Sequence, residues 1–187
     1  DLEWLADDAR AGRAIGSPGN AEARAYVARA FQSLGLAPVP GGRPDAPYVH
    51  AWAMPRRSGP DSLRGANVVA RVRGTRDTTR VLVVTAHYDH VGVGRPVNGD
   101  SIYNGADDNA SGTSALLAVA RELAARPPLH DVILVAFDGE ESGLLGARAF
   151  VAAPPVPRAS IAANVNFDML SRDTRGELWV AGPGRYA

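Results

Sequence analysis

Histidine and carboxylate residues follow several apolar runs of this chain, in positions where they could bind metal ions. They occur in four motifs: His87-Tyr88-Asp89, Gly105–Gly112 with Asp108, Asp138-Gly139-Glu140-Glu141, and Asn166-Phe167-Asp168. An imidazole and several carboxylates, delivered to the ends of separate strands, can form a zinc site for two metal ions. Such a site activates water for hydrolysis. The four motifs together therefore indicate a metal-dependent hydrolase.

Each motif taken alone has a commoner structural explanation. A histidine after a strand is more often structural than a ligand, and the position of His90 favours a structural role. In extended chain, His87 and Asp89 share a face, so Asp89 could orient the imidazole through a hydrogen bond. Adjacent Glu140 and Glu141 point in different directions, so one could hold a metal while the other moves protons.

The composition is that of an ordinary globular domain. The chain has 187 residues, of which 45% are hydrophobic and 21% charged, and its formal net charge is zero. This balance points neither to nucleic acid nor to a membrane surface as a partner. A membrane-spanning helix needs about 18 consecutive apolar residues, and no apolar run of the chain approaches that length. Cysteine is absent, which excludes thiolate ligands, so histidine and carboxylates would have to hold any metal.

Strands and helices alternate along the sequence. The hydrophobic pattern predicts helices over 20–34, 111–125 and 142–152, and strands over 67–72, 81–86, 131–137, 161–167 and 178–181. Residues 37–65 are predicted as a loop with one strand at most, and 91–106 as a loop. This order predicts an α/β fold with a mostly parallel central sheet and helices on both faces. Ligands of such sheets bind beyond the carboxyl ends of the strands, where the four motifs lie.

The motifs resemble those of the zinc peptidases of family M28, which include bacterial leucine-type aminopeptidases. The resembling segments are AHYDHVG (86–92), NGDSIYNGADDNASGTSALL (98–117), VAFDGEESGLLGARAF (135–150) and NFDML (166–170). Residues 13–38 also resemble the leader helix region of that family. The resemblance spans nearly the whole chain, and it implies a zinc-aminopeptidase fold with residues 1–187 forming one partial catalytic domain.

The resemblance also implies a role for each matched residue. The implied metal ligands are His87, Asp108, Glu141 and Asp168, with Asp108 bridging two Zn²⁺ ions. His87 and Asp168 would each hold one zinc, and Glu141 would hold the second zinc. The implied catalytic residues are Glu140, as the general base, and Asp89, which would orient His87. A cis peptide bond is implied between Asp108 and Asn109.

The implied activity is hydrolysis of N-terminal residues from peptides by a metal-activated water, with Glu140 passing its proton to the leaving amine. The substrate would be a peptide with a free N-terminus, held by the acidic site. The alternatives are a glutaminyl cyclase-like or carboxypeptidase-like enzyme on the same scaffold, or a domain without catalysis. The chain starts at Asp1 without a signal peptide, as a mature exported protein would, and we expect a secreted or periplasmic protein.

One ligand that the resemblance implies is missing from the sequence. The family uses a fifth ligand, a histidine downstream of the Asn-x-Asp motif, for the second zinc. The histidines of this chain are His50, His87, His90 and His130, and none follows Asp168. We therefore expect an incomplete chain, in which a second chain or a C-terminal segment completes the site. On its own the chain should bind the second zinc weakly and have little activity.

Overall fold

The structure is a computed structural model, and it describes residues 1–55, 62–76, 79–171 and 173–182. Its helices are α1 (Leu2–Leu5), α2 (Pro18–Ser33), α3 (Gly112–Ala125) and α4 (Leu145–Ala152). Short 3-10 segments lie at Asp8–Arg13 and Arg158–Ser160, and a π-helical turn lies at Ala106–Ser111. The strands are β1 (Val49–Pro55), β2 (Ser62–Val72), β3 (Val81–His87), β4 (Gly92–Val97), β5 (Asp100–Tyr103), β6 (Asp131–Phe137) and β7 (Ile161–Asn166).

Within these residues the central sheet has five strands, in the order β1-β2-β6-β3-β7. Strand β3 pairs in parallel with both β6 and β7, whereas β2 is antiparallel to both β1 and β6. The predicted α/β class is confirmed, with the sheet mixed at the β1 edge. Residues 56–61 alone separate β1 from β2. A parallel pair would need a crossover of a dozen or more residues, so these two strands pair antiparallel.

Helices cover both faces of the sheet, as the sequence predicted. On one face, Phe31 of α2 and Leu116 of α3 pack in a buried cluster with Leu134 of β6. On the other face, Phe150 of α4 packs in a second cluster with Val135. Neighbouring strand residues thus face opposite clusters, as the alternation of side chains along a strand requires. None of the helices in the described ranges has the length and apolarity that crossing a bilayer needs.

The three predicted helices all form, each within three residues of its predicted bounds.

The predictions for two segments, 178–181 and 91–106, were wrong. Residues 178–181, predicted as a strand, have no regular structure, because no described strand pairs with them to satisfy their backbone groups. Residues 91–106, predicted as a loop, contain the antiparallel β4–β5 hairpin. Its turn is Asn98-Gly99, both with positive φ, and this dipeptide is a strong hairpin signal.

A buried carboxylate, that of Asp138, connects the end of β6 to two other elements. Its Oδ1 accepts a hydrogen bond from Nδ2 of Asn20 (2.8 Å), and its Oδ2 accepts one from the backbone N–H of Ala66 (3.0 Å). Burial raises the pKa of Asp138, while the hydrogen bond from Ala66 opposes that shift. The side chain of Ser17 caps α2 by accepting a hydrogen bond from the backbone N–H of Asn20.

We expect Asp138→Ala to lower the free energy of unfolding by about 2–4 kcal/mol, because the buried donors of Asn20 and Ala66 would lose their acceptor. Urea denaturation followed by far-ultraviolet circular dichroism measures this loss. Asp45→Ala is the matched control, since Asp45 forms a solvent-exposed ion pair with Arg43 and its removal should barely move the midpoint. Equal effects of the two substitutions would contradict the role given to Asp138.

Candidate metal centre

Three parallel strands end side by side and deliver most of the predicted site residues. His87 is the last residue of β3, Glu140 and Glu141 follow β6, and Asp168 follows β7. Asp108 comes from a different direction, in the π-helical turn that precedes α3. The metal-binding and catalytic residues inferred from the sequence therefore lie together at the carboxyl ends of these strands.

The first group of potential ligands surrounds the buried imidazole of His87. Its Nε2 lies 3.3 Å from Oδ1 of Asp108 and 3.5 Å from Oδ1 of Asp168. The three ligand atoms lie within 4.8 Å of one another, a spacing that a single cation could bridge. His87 is buried, whereas both carboxylates are partly exposed, so the group faces solvent on one side.

A second group forms around the other carboxylate oxygen of Asp108. Nδ1 of His90 lies 2.7 Å from Oε1 of Glu141 and 4.0 Å from Oδ2 of Asp108. These three ligand atoms also lie within 4.8 Å of one another. Asp108 thus has one oxygen in each group, which is the arrangement that a bridging carboxylate needs.

His90 belongs to this group by its position, whereas the sequence favoured a structural role for it. The signal that could have found it is its position three residues after His87 in the same strand-end segment. Whether its ring points into the site depends on packing with distant segments, which the local pattern does not show.

Asp89 is fully buried beside His87 and contacts both glutamates. Its Oδ1 accepts the backbone N–H of Glu140 (3.1 Å), and its Oδ2 accepts that of Glu141 (3.3 Å). Oδ1 also lies 3.7 Å from Nδ1 of His87, although the backbone carbonyl oxygen of Asp89 is closer to that nitrogen, at 3.2 Å. Asp89 therefore positions the two glutamates as well as lying next to the imidazole.

Gly139 makes the turn that leads from β6 to the glutamates. Its φ is +68°, in the region that favours glycine. A Cβ atom there would lie 2.9 Å from Cδ1 of Ile15 and 3.0 Å from the ring of Trp52. The direction in which Glu140 leaves the strand therefore depends on the absence of a side chain at this position.

The carboxylates surround His87 with negative charge. Burial lowers the pKa of His87, but Asp89, Asp168 and Glu140 outweigh this effect and raise it to about 9. Burial raises the pKa of Glu140, and the charge of His87 opposes that shift. The site thus favours an added positive charge, and its imidazole and carboxylate donors are of the kind that Zn²⁺ accepts.

Arg13 is buried behind the site and holds its loops by hydrogen bonds. Its guanidinium donates to the backbone carbonyl oxygens of Leu5, Tyr88, Asn104 and Gly105. Burial lowers its pKa to about 10, while the charges of Asp89 and Asp108 oppose the shift. Nothing in the local sequence around Arg13 distinguishes it from the exposed arginines of the chain.

The turn that carries Asp108 is connected to the end of β7. The peptide bond between Asp108 and Asn109 is cis, as the resemblance implied. The side chain of Asn109 donates to the carbonyl oxygen of Phe167 (2.9 Å) and accepts from the backbone N–H of Gly112 (2.9 Å). The hydroxyl of Ser111 donates to the backbone carbonyl oxygen of Asp107 (2.6 Å) within the same turn.

Comparison with known proteins identifies the family of the chain. The sequence model described as "Peptidase family M28" matches residues 67–186, which is more than half of the chain and includes all the residues of both ligand groups. The chain belongs to peptidase family M28. Several of its curated relatives are named as probable zinc metalloproteases.

Two curated relatives and one solved structure illustrate the similarity. A probable zinc metalloprotease of Leptosphaeria maculans is 38% identical over 127 residues, 67% of this chain and 29% of its own length. Aminopeptidase YwaD of Bacillus subtilis is 36% identical over 105 residues, 54% of this chain and 21% of its own length. The M28 chain therefore aligns with less than a third of either relative. The crystal structure of Porphyromonas gingivalis glutaminyl cyclase, 22% identical, has a TM-score of 0.70 over 90% of this chain and 58% of that one, a likeness of fold.

We expect Asp89→Asn to weaken zinc binding by the His87 group about 10- to 100-fold, as loss of an outer carboxylate does in other metal sites. Asparagine removes the negative charge and leaves one of the backbone N–H groups of Glu140 and Glu141 without an acceptor. Competition with a chromophoric chelator measures the affinity. Asp100→Asn, in the exposed hairpin, is the matched control and should not change it. Unchanged affinity in Asp89→Asn would contradict the role of this carboxylate.

Proposed function

We propose that this chain forms the catalytic core of a zinc-dependent aminopeptidase, which removes N-terminal residues from peptides. The observation that carries the proposal is the pair of histidine–carboxylate groups that share Asp108 and lie beside Glu140. Membership of family M28 supports a zinc-dependent peptidase. The similarity to an aminopeptidase supports action at the end of the substrate.

The two ligand groups would hold two zinc ions. His87 and Asp168 would bind the first, Glu141 would bind the second, and Asp108 would bind both through its two oxygens. Bound zinc supplies Lewis acidity, which activates water and polarises the carbonyl group of the substrate.

Glu140 is proposed to transfer protons during hydrolysis. Together with His87 and Asp168 it lines a cleft of about 170 Å³. Burial raises the pKa of Glu140, which makes its carboxylate a better proton acceptor from water and its acid form ready to protonate the leaving amine. The hydrogen bond from its backbone N–H to Asp89 holds Glu140 at the start of this cleft.

The proposed substrate is a peptide with a free N-terminus. Its positively charged amino group would bind among the carboxylates of the site. The apolar part of the cleft wall includes Phe137 and Ala147, alongside polar groups such as Thr85 and Asn164. Phe137 and Ala147 also line a larger apolar cavity of about 340 Å³ next to it, together with Phe150 and Ile161. These walls suit an apolar side chain of the substrate.

One further part of the proposal concerns the location of the protein, which would act outside the cytoplasm as a secreted or periplasmic enzyme.

In the zinc-loaded protein, Glu140→Gln should lower kcat for a leucine anilide by about 10²- to 10⁴-fold, because glutamine cannot take the proton from water. KM and zinc content should stay near those of the unchanged protein, since Glu140 is not among the proposed ligands. Release of the coloured amine gives kcat, and elemental analysis gives zinc content. Glu122→Gln on the exposed side of α3 is the matched control. Near-full activity of Glu140→Gln would show that the general base is another group.

A peptide with an N-terminal glutamine separates the proposed activity from that of a glutaminyl cyclase. We expect free glutamine and a shortened peptide, and no reaction with the same peptide after N-acetylation, since acetylation removes the charged amino group. Mass spectrometry follows both products, and an ammonia assay runs in parallel. Release of ammonia from a peptide of unchanged length would contradict the aminopeptidase proposal and favour cyclisation.

A further inference from the structure

The β4–β5 hairpin stands at the rim of the proposed active site. The chain enters it just after His90, of the second ligand group, and leaves it shortly before Asp108. The cleft proposed for the side chain of the substrate adjoins the first group, because His87 and Asp168 line it. The cleft and the hairpin therefore lie beside different ligand groups, and Asp108 contributes one oxygen to each group.

One face of the hairpin packs on residues 12–14, which lie behind the site. Gly92 and Tyr103 pair across the two strands. A Cβ atom on Gly92 would lie 2.6 Å from Cβ of Ala14, and a Cβ atom on Gly12 would clash with the carbonyl oxygen of Tyr103. Because the two glycines allow this close approach, the face that includes Tyr103 is turned toward the body of the protein.

The opposite face of the hairpin exposes apolar side chains to solvent. Val93 pairs with Ile102, and Val97 pairs with Asp100. Paired residues share a face of the ribbon, and Asp100 and Ile102 share one because they are two positions apart. Val93 and Val97 therefore lie on the same face, where they are 61% and 58% exposed. These two residues form the valine face of the hairpin.

We propose that the valine face binds apolar side chains of a peptide substrate beyond the bond that is cleaved. The inference rests on the proposed function, in which the first residue of the substrate occupies the acidic site and the cleft. The rest of the peptide then leaves the site on the side away from the cleft, where the hairpin stands. Binding there removes apolar surface of both partners from water, which is favourable.

The length of the hairpin determines which substrate residues reach it. Val93 is three positions after His90 and Val97 is seven positions after it, which in extended chain span at most about 10 and 23 Å. An extended peptide covers these distances with the same numbers of residues. The proposed substrates are therefore peptides of about five residues or more, with apolar side chains from about the third residue after the cleaved bond.

The test uses two peptides that bind without being cleaved. Each has eight residues, begins with leucine and has a methylene group in place of its first carbonyl group. They differ only in carrying valine or serine at the fourth and sixth positions. In the presence of zinc, we expect this chain to bind the valine peptide about 10-fold more tightly, because two valine side chains are partly removed from water. Isothermal titration calorimetry gives both affinities.

Spectra of the unchanged chain show where the peptide binds. In ¹H–¹³C correlation spectra, the methyl signals of Val93 and Val97 should move when the valine peptide is added. The serine peptide should move them much less. This measurement requires no substitution, so it decides the question even if a variant of the hairpin does not fold.

Substitution of the valine face should remove the preference between the peptides. The double variant Val93→Ser/Val97→Ser should bind both peptides with the affinity that the unchanged chain has for the serine peptide. Leu129→Ser is the matched control and should keep the 10-fold preference. Leu129 is 53% exposed, but it lies before β6, at the opposite end of that strand from Glu140.

Failure of the inference can be told apart from failure of the proposed function. Equal affinities of the unchanged chain for the two peptides, or valine-face methyl signals that do not move, would overturn the inference alone. If neither peptide binds, the inference is overturned, and hydrolysis of the leucine anilide decides whether the proposed function fails with it. A dimer in analytical ultracentrifugation that the double substitution converts to a monomer would give the valine face to a second copy of the chain, which also overturns the inference.

Discussion

Several carboxylates lie together at the carboxyl ends of the parallel strands, and the rest of the structure depends on accommodating their negative charge. Five of them lie near His87 and His90: Asp89, Asp108, Glu140, Glu141 and Asp168. Bringing such groups together out of water is unfavourable unless positive charge accompanies them. A proton on His87 or a bound zinc ion meets this need, which is why the same cluster raises the imidazole pKa and suits a metal.

The scaffold separates two physical tasks. Apolar clusters on both faces of the sheet hold β3, β6 and β7 in register, so that their carboxyl ends lie together. Buried polar groups then fix the loops beyond those ends by directional hydrogen bonds: Asp138 at the end of β6, Arg13 behind the turns at Tyr88 and Gly105, and Asp89 at the two glutamates. Hydrophobic burial is non-directional, so the positions of the ligand atoms depend on these polar contacts.

Sharing of Asp108 connects metal binding to catalysis in the proposed enzyme. One carboxylate belongs to both ligand groups, and Glu140 stands beside them on a turn that Gly139 and Asp89 determine. Membership of family M28 supports the proposal that the metal is zinc. The proposal that the enzyme acts at the amino terminus of its substrate rests on the acidic groups that would bind a free amino group. The His90 ring adds a second imidazole to a site in which the sequence favoured only one.

The sequence by itself determined the α/β class, the three longer helices, most strands and the candidate ligands of both groups other than His90. These features depend on local periodicity and on motifs in a fixed order, and both can be read along the chain. Only the tertiary structure decided the antiparallel pairing of β2, the absence of a described strand beside residues 178–181, and the direction of the His90 ring. Each of these depends on which distant segment lies alongside, and for His90 the deciding contacts come from Gly105 and Arg13.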